Sequence, residues 1–242
     1  DGFDLWCTLE DTKNGIALFS NKISEPMDMT TQMVGKLAND IVTSLKVKTK
    51  QDIMKAPTDN AEAYEYYLRG VHKYNKRENT DDTEIARGLL LKAIELDDGL
   101  LDAKNLLGAT YLEAGDYDKA MEILTPVLKQ AEGLGDKHRM GITLGTIGHI
   151  YRSTGDNGTA LSYYKRSLII FEEIGDKRGM GHSLASIGLI HSNKGDYKKA
   201  AKYLEKSLAI QKEIGMKGLE LDTSTYLYLT YKHLSKDYDV NE

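Results

Sequence analysis

Residues 140–179 read MGITLGTIGHIYRSTGDNGTALSYYKRSLIIFEEIGDKRG, and residues 180–218 follow at once with MGHSLASIGLIHSNKGDYKKAAKYLEKSLAIQKEIGMKG. The two lines carry the same small residues at the same offset. Gly148 and Gly188 stand forty residues apart, as do Gly155 and Gly195, Asp156 and Asp196, Ala160 and Ala200, and Ser167 and Ser207. A fixed period with matched small residues and a matched turn is the signature of a repeat array. One such unit cannot bury its own apolar face, so stacked units are expected.

The framework extends outward on both sides. Residues 101–134 supply Gly108, Tyr111, Gly115-Asp116-Tyr117, Ala120 and Leu124 at corresponding places. Residues 61–97 form a more degenerate unit with a tyrosine-rich helix (Tyr64, Tyr66, Tyr67, Tyr74), a polar turn at 78–83 and a return helix over 84–96. Residues 219–235 read as the first helix of a fifth unit, so the array spans 61–242 in units 61–97, 101–134, 139–175, 179–215 and that last helix. Gly108, Gly148 and Gly188 are expected to let paired helices approach closely, with Ala120, Ala160 and Ala200 facing them. Glycine inside a helix costs about 1 kcal/mol against alanine, so packing must offset it. Gly115, Gly155 and Gly195 are expected to end helices in the left-handed conformation, and the aspartates after them to cap the next. Pro126 falls inside a predicted helix and is expected to kink or shorten it.

These positions resemble the tetratricopeptide repeat. The resemblance implies a mainly α protein, a right-handed α-α superhelix. The third and fourth units exceed the usual length of about 34 residues. Their extra residues lie at the junctions Gly135-Asp136-Lys137, Gly175-Asp176-Lys177 and Gly215-Met216-Lys217. Long units of this kind resemble those of G-protein-signalling modulators and the Rap-type bacterial regulators, both receptors for peptides or proteins.

The first fifty residues differ in character. Leu5, Cys7 and Leu9 alternate with Trp6 and Thr8, then comes Asn14-Gly15, then a second alternating run from Ile16. This predicts a β-hairpin over 4–22. Met33, Val34, Leu37, Ala38, Ile41, Val42 and Leu45 fall at helical spacing, predicting a helix over 27–46. Residues 51–60 are the joint, where Pro57 disfavours helix at Ala56. Hairpin and helix together resemble the end of a TolB-like amino-terminal α/β domain, with residues 1–50 as its carboxyl-terminal part. In that family such a segment precedes tetratricopeptide repeats and often follows a class III adenylate or guanylate cyclase domain. The opening DGFDLWCTLED, without a methionine, reads as a piece of a longer bacterial protein.

Composition narrows the function. A formal net charge of −5 argues against a nucleic-acid partner, which calls for a basic face. The single cysteine, Cys7, forms no internal disulfide, which fits a reducing, cytoplasmic setting. No run of about 18 apolar residues exists, so no membrane span is expected. No two histidines stand at i, i+3 or i+4, so no metal or cofactor site is expected, and His191 reads as a packed substitute for the repeat's tyrosine. No catalytic constellation is legible, so an enzyme is not expected in these residues.

In the tetratricopeptide family the first helices line the concave groove. Carried onto this sequence, that rule selects Tyr67 and Val71 in the first unit, and Asn105, Ala109 and Leu112 in the second. It selects Ile142, His149 and Arg152 in the third, Leu189, Ser192 and Asn193 in the fourth, and Leu229 and His233 in the fifth. Gly145 and His182 fall at groove-facing positions too. This mixed lining suits an extended peptide or a partner helix. The positions of the family's carboxylate clamp hold Ile142, Thr146, His182 and Ser186, which argues against a chaperone-tail receptor. The expected function is a protein-interaction scaffold in a signalling protein. The alternatives are a regulatory region of a cyclase whose catalytic domain lies outside these residues, and self-association as a homodimer.

Overall fold

The computed structural model describes the backbone of residues 2–10, 17–26 and 58–239, and side chains over 58–235. The turn expected near Asn14-Gly15, the helix expected over 27–46 and most of the joint lie outside the described residues. The chain divides into two compact units, residues 1–106 and 107–242, with the boundary inside one helix.

In the first unit, strands β1 (Gly2–Glu10) and β2 (Ala17–Pro26) pair antiparallel, with Leu5 opposite Ile23 and Thr8 opposite Ser20. Helices α1 (Ala61–Asn75) and α2 (Thr80–Leu96) form a hairpin. Asn60 closes it. Its Oδ1 accepts from the Ala63 amide at 3.0 Å, capping α1, while its Nδ2 donates to the Leu96 carbonyl at 3.0 Å. One side chain thus satisfies an orphan amide at the start of the pair and a carbonyl at its end. Helix α2 begins at Thr80, inside the stretch expected to be a polar turn. Asn79 accepts from the Asp82 amide and caps it, and Asp81 and Asp82 lie in the first turn, where acidic groups favour the helix dipole.

Helix α3 (Leu101–Glu113) crosses into the second unit. That unit continues with α4 (Tyr117–Leu134), α5 (Lys137–Ser153), α6 (Asn157–Ile174), α7 (Lys177–Asn193), α8 (Tyr197–Glu213) and α9 (Lys217–Asp239). Glycines with φ of +65° to +88° stand at 115, 135, 155, 175, 195 and 215, one every twenty residues. A residue with a Cβ is strained there, so glycine ends each helix cheaply. Asp116, Asp136, Asp156 and Asp176 then accept amide hydrogen bonds from the helix that follows.

Pairing rests on missing side chains, as the sequence suggested. A Cβ on Gly108 would stand 2.6 Å from Leu124 Cγ, one on Gly148 2.8 Å from the Tyr164 ring, and one on Gly188 2.7 Å from Leu204 Cγ. Ala120, Ala160 and Ala200 are fully buried beside them. Leu124, Leu144, Ile187, Ile190 and Leu204 fill the core, each contributing about 1.5–3 kcal/mol of transfer free energy. The register is also fixed by hydrogen bonds. Ser167 Oγ donates to the Gly141 carbonyl at 2.8 Å, and Ser207 Oγ to the Gly181 carbonyl at 2.7 Å, the same bond forty residues on.

Pro126 does not shorten its helix: α4 runs through it to Leu134. The ring sits on the exposed side while Leu124, Val127 and Ala131 are buried on the other. A surface helix bows toward solvent, which is where a lost backbone bond is tolerated best.

The glycines differ in what they permit. A Cβ on Gly145 would meet nothing closer than Ser167 Oγ at 3.6 Å. Gly145→Ala is therefore expected to raise stability by up to about 1 kcal/mol. Gly148→Ala is expected to lower it by about 1–3 kcal/mol through overpacking against Tyr164. Urea denaturation midpoints of the two variants check this, and the opposite order would overturn the packing account.

Candidate functional site

Three of these helices leave a space between them. Helices α5 and α7 carry glycine where they face the ring of Phe171 on α6. Cβ atoms on Gly141 and Gly179 would lie 2.8 and 2.4 Å from that ring. With Gly145 they form a wall without side chains. The result is a cavity of about 360 Å³ within the second unit. Its apolar part is Ile142, Phe171 and the glycines. Its polar part includes Thr146, His149, His182 and Ser186, and Tyr164 also lines it.

The deep end is unusual in its chemistry. Tyr164 is 1% exposed, yet its hydroxyl makes no hydrogen bond of ordinary geometry. Arg152 and Ser186 stand beside it, and burial pushes the phenol up to about 12 against their opposing pull. The Arg152 Nε is likewise buried without a partner. His149 packs edge-on against the Tyr164 ring, centroids 5.2 Å apart. Burial, then the Arg152 charge and His182, hold His149 down at about 4, so its ring is neutral at physiological pH.

The mouth is framed differently. His138 packs edge-on to Phe171, 6.4 Å between centroids, and its Nε2 lies 3.5 Å from Asp176. Asp176 also accepts from the Arg178 and Gly179 amides at 3.0 and 3.1 Å. His182 is exposed on α7, but burial against the cavity wall, then the Arg178 charge, lower its pKa against the pull of Asp176. Halfway along, Ser167 and Ser183 share a hydrogen bond at 3.2 Å that ties α6 to α7.

Of the residues selected from sequence, Ile142 and His149 line this cavity, and Arg152 stands behind its deep end. Leu189 and Ser192 are half-buried and Asn193 is exposed on α7, away from the lining. His233 stacks on Tyr197 at 4.6 Å, and Leu229 is exposed on α9. Leu112 packs against the cluster of Ala120, Leu124, Ile147 and Ile150, and Ala109 is half-buried on the same helix. In the first unit, Tyr67 stacks on Tyr64 at 6.1 Å, Val71 is half-buried and Asn105 is buried. The groove rule missed Tyr164, Ser167 and Phe171, because these lie on a second helix. A departure between units was the available signal: the fourth unit has Leu204 and Gln211 in the places of Tyr164 and Phe171.

His191 is buried, as expected. It stacks parallel on Tyr203 at 5.6 Å and contacts Asp196 through Nδ1 at 3.3 Å. That contact draws the Asp196 carboxylate from the capping bond its counterparts make. Among the described residues no group of three or more His, Cys, Asp or Glu side chains could hold a metal ion, and no helix is long and apolar enough to cross a membrane.

Glycine-packed hairpins with a lined interhelical cavity define a helical-repeat scaffold. More particularly, residues 99–213 are tetratricopeptide repeats: that family's model matches residues 99–173 and again 139–213. Such repeats are typically non-enzymatic scaffolds. No curated protein matches the chain. Among solved structures, the chain is similar to aspartyl phosphate phosphatase F from Bacillus subtilis, with TM-score 0.59, 20% identity, and coverage of 86% of this chain and 55% of that one. It thus spans just over half the length of that protein. It is similar to a Rap protein complexed with Competence and Sporulation Factor, with TM-score 0.59, 16% identity, and coverage of 88% and 82%. It is also similar to a signal-transduction ATPase with a tetratricopeptide repeat sensor from Pyrococcus horikoshii, with TM-score 0.54, 18% identity, and coverage of 83% and 31%. At these identities the likeness is one of fold.

The cavity predicts a pH dependence. Unfolded, His149 takes up a proton near 6.5; folded, it resists until about 4. In that window the unfolded chain binds more protons, so this contribution to stability is whole above 6.5 and is lost as pH falls toward 4. Urea midpoints at pH 7, 5 and 4 should show wild type losing about 1–3 kcal/mol more than His149→Gln. Parallel profiles would overturn the assignment.

Proposed function

We propose that the chain is a peptide- or protein-binding module whose ligand lies on the α5–α7 face of the second unit. The observation that carries this is the cavity of about 360 Å³ walled by Gly141, Gly145 and Gly179. Glycines in helices are costly to keep, and here two of them, Gly141 and Gly179, admit the Phe171 ring, while the third, Gly145, leaves room beside it. Ligand sites are concave and mostly apolar with a few placed polar groups, and this slot has that make-up. The likeness to a Rap protein complexed with Competence and Sporulation Factor supports the reading, since that protein is described with a bound factor.

We place this module in the regulatory part of a bacterial signalling protein. Support comes from the TolB-like resemblance of residues 1–50 and from the sensor role named for the repeats of the Pyrococcus horikoshii ATPase. The coding sequence upstream of Asp1 tests the cyclase form of this idea, which falls if no cyclase domain is encoded there. Self-association is a second reading, favoured by Leu221, Tyr226, Tyr228 and Leu229, all 41–70% exposed on α9. Light scattering decides it, a monomer at all concentrations counting against it.

The main reading is tested by selecting peptides from a displayed random library against the 242-residue chain. Selected peptides are expected to weaken at least about tenfold on Ile142→Glu and on Gly145→Leu, since either change fills or charges the slot. Undiminished binding by both folded variants, or a selection that yields no binder, would overturn the assignment of this face.

A further inference from the structure

The last helix, α9, departs from the pattern of the helices before it. Forty residues on from α7, the places of Gly181 and Gly188 fall to Leu221 and Tyr228, and those of Gly195 and Asp196 to Ser235 and Lys236. The glycines matter because the second helix of each hairpin lies against them. A Cβ on Gly141, Gly148 or Gly188 would come within 2.7–2.8 Å of a side chain on that second helix. With leucine and tyrosine at these places, α9 cannot take a second helix at the spacing the earlier hairpins use. Nor does α9 turn back where α5 and α7 do. Their turns carry Gly155 and Gly195 at positive φ, whereas α9 runs past Ser235 to Asp239.

The face that would have met a second helix is open and largely apolar. Leu221 is 70% exposed and Tyr228 65%, with Thr225 and Leu229 exposed beside them. These four stand at i, i+4, i+7 and i+8, one stripe of a helix. The stripe lies on the side away from Thr223 and Thr230, which are buried where α9 packs on α8. An exposed apolar stripe of this extent marks an interaction surface. Its leucines and tyrosines suit a neighbouring helix at the ordinary separation of about 8–10 Å, which the glycine seams undercut.

The charges show which helix fits. Asp222 and Lys232 are exposed toward opposite ends of the stripe. In an antiparallel pair centred on Leu227, Asp222 of each copy stands level with Lys232 of the other, and Lys217 level with Asp237. A parallel pair would set each charge level with its own kind. A two-fold interface must be complementary to itself, and this one is so in the antiparallel direction alone. That direction also brings each helix N-terminus beside the other's C-terminus, which the helix dipoles favour.

We infer that α9 closes the array and pairs through this stripe, antiparallel and about a two-fold axis, with α9 of a second copy of the chain. The inference rests on the self-association reading and adds the element, the face and the direction of the pairing.

Sedimentation equilibrium on the 242-residue chain, from about 1 to 300 µM, is expected to show a reversible dimer of micromolar strength. Tyr228→Glu is expected to weaken that dimer at least about tenfold. The circular dichroism and thermal midpoint of the dilute chain should stay unchanged, because Tyr228 is exposed in the single copy. Asp222→Lys and Lys232→Glu are each expected to weaken the dimer about threefold or more, since a two-fold axis repeats each change. The chain carrying both reversals should regain wild-type affinity.

A chain monomeric throughout would remove self-association and this pairing together. A dimer indifferent to Tyr228→Glu would leave self-association standing and overturn α9 as its surface. Single reversals without effect, or a double reversal no better than either one, would overturn the antiparallel direction. A midpoint lowered by Tyr228→Glu in the dilute chain would also overturn the pairing, since the stripe would then be covered from within the chain itself.

Discussion

The contact on which this structure depends is that between a glycine of one helix and a large side chain of the next. Gly108 against Leu124, Gly148 against Tyr164 and Gly188 against Leu204 bring paired helices closer than any Cβ would permit. Everything else follows from that approach. The serine hydroxyls of α6 and α8 then reach glycine carbonyls on α5 and α7, and fully buried alanines fill what space is left. Helix propensity alone would disfavour each of these glycines, so the hairpin is an object made by packing.

The same device used off the pairing seam gives a different result. Gly141, Gly145 and Gly179 also lack side chains, but a flat aromatic ring, Phe171, spans two of them and Gly145 meets only Ser167 Oγ, at 3.6 Å. A framework that tolerates small residues for close approach therefore opens a hole where the opposing residues do not fill it. In the fourth unit, where Gln211 stands for Phe171, its Cγ comes within 3.5 Å of the place a Cβ on Gly181 would take, and its amide donates to Ser207. The third unit thus sets a ring and a phenol beside the glycines of α5 and α7, where the fourth has Gln211 and Leu204.

Much of the fold was legible because its determinants are local. Glycine at a helix end and aspartate after it act within four residues, and the forty-residue offset exposed them all. The start of α2 was misread because Asn79, Asp81 and Asp82 look like a polar turn, whereas in a cap and first turn the same residues favour helix. Pro126 was overestimated because its effect depends on which side of the helix it faces. The site was legible only in part. Ile142 and His149 follow from their place on a first helix, but Tyr164, Ser167 and Phe171 belong to a helix that counting treats as support. Nor does a glycine announce whether its neighbour will close over it.

The twenty-residue stride of left-handed glycines makes the second unit commensurate with itself. Each junction presents the same backbone geometry to whatever helix comes next, and Met140 and Met180 follow nearly identical turns, GDKHR and GDKRG. Excising or duplicating one forty-residue period joins a turn to the helix it already expects, with no residue left out of register. Such a chain can gain or lose whole units by recombination at little structural cost. What it cannot do freely is shift by a few residues, because a shorter step would place a Cβ where only hydrogen fits. Length then changes in quanta of one repeat.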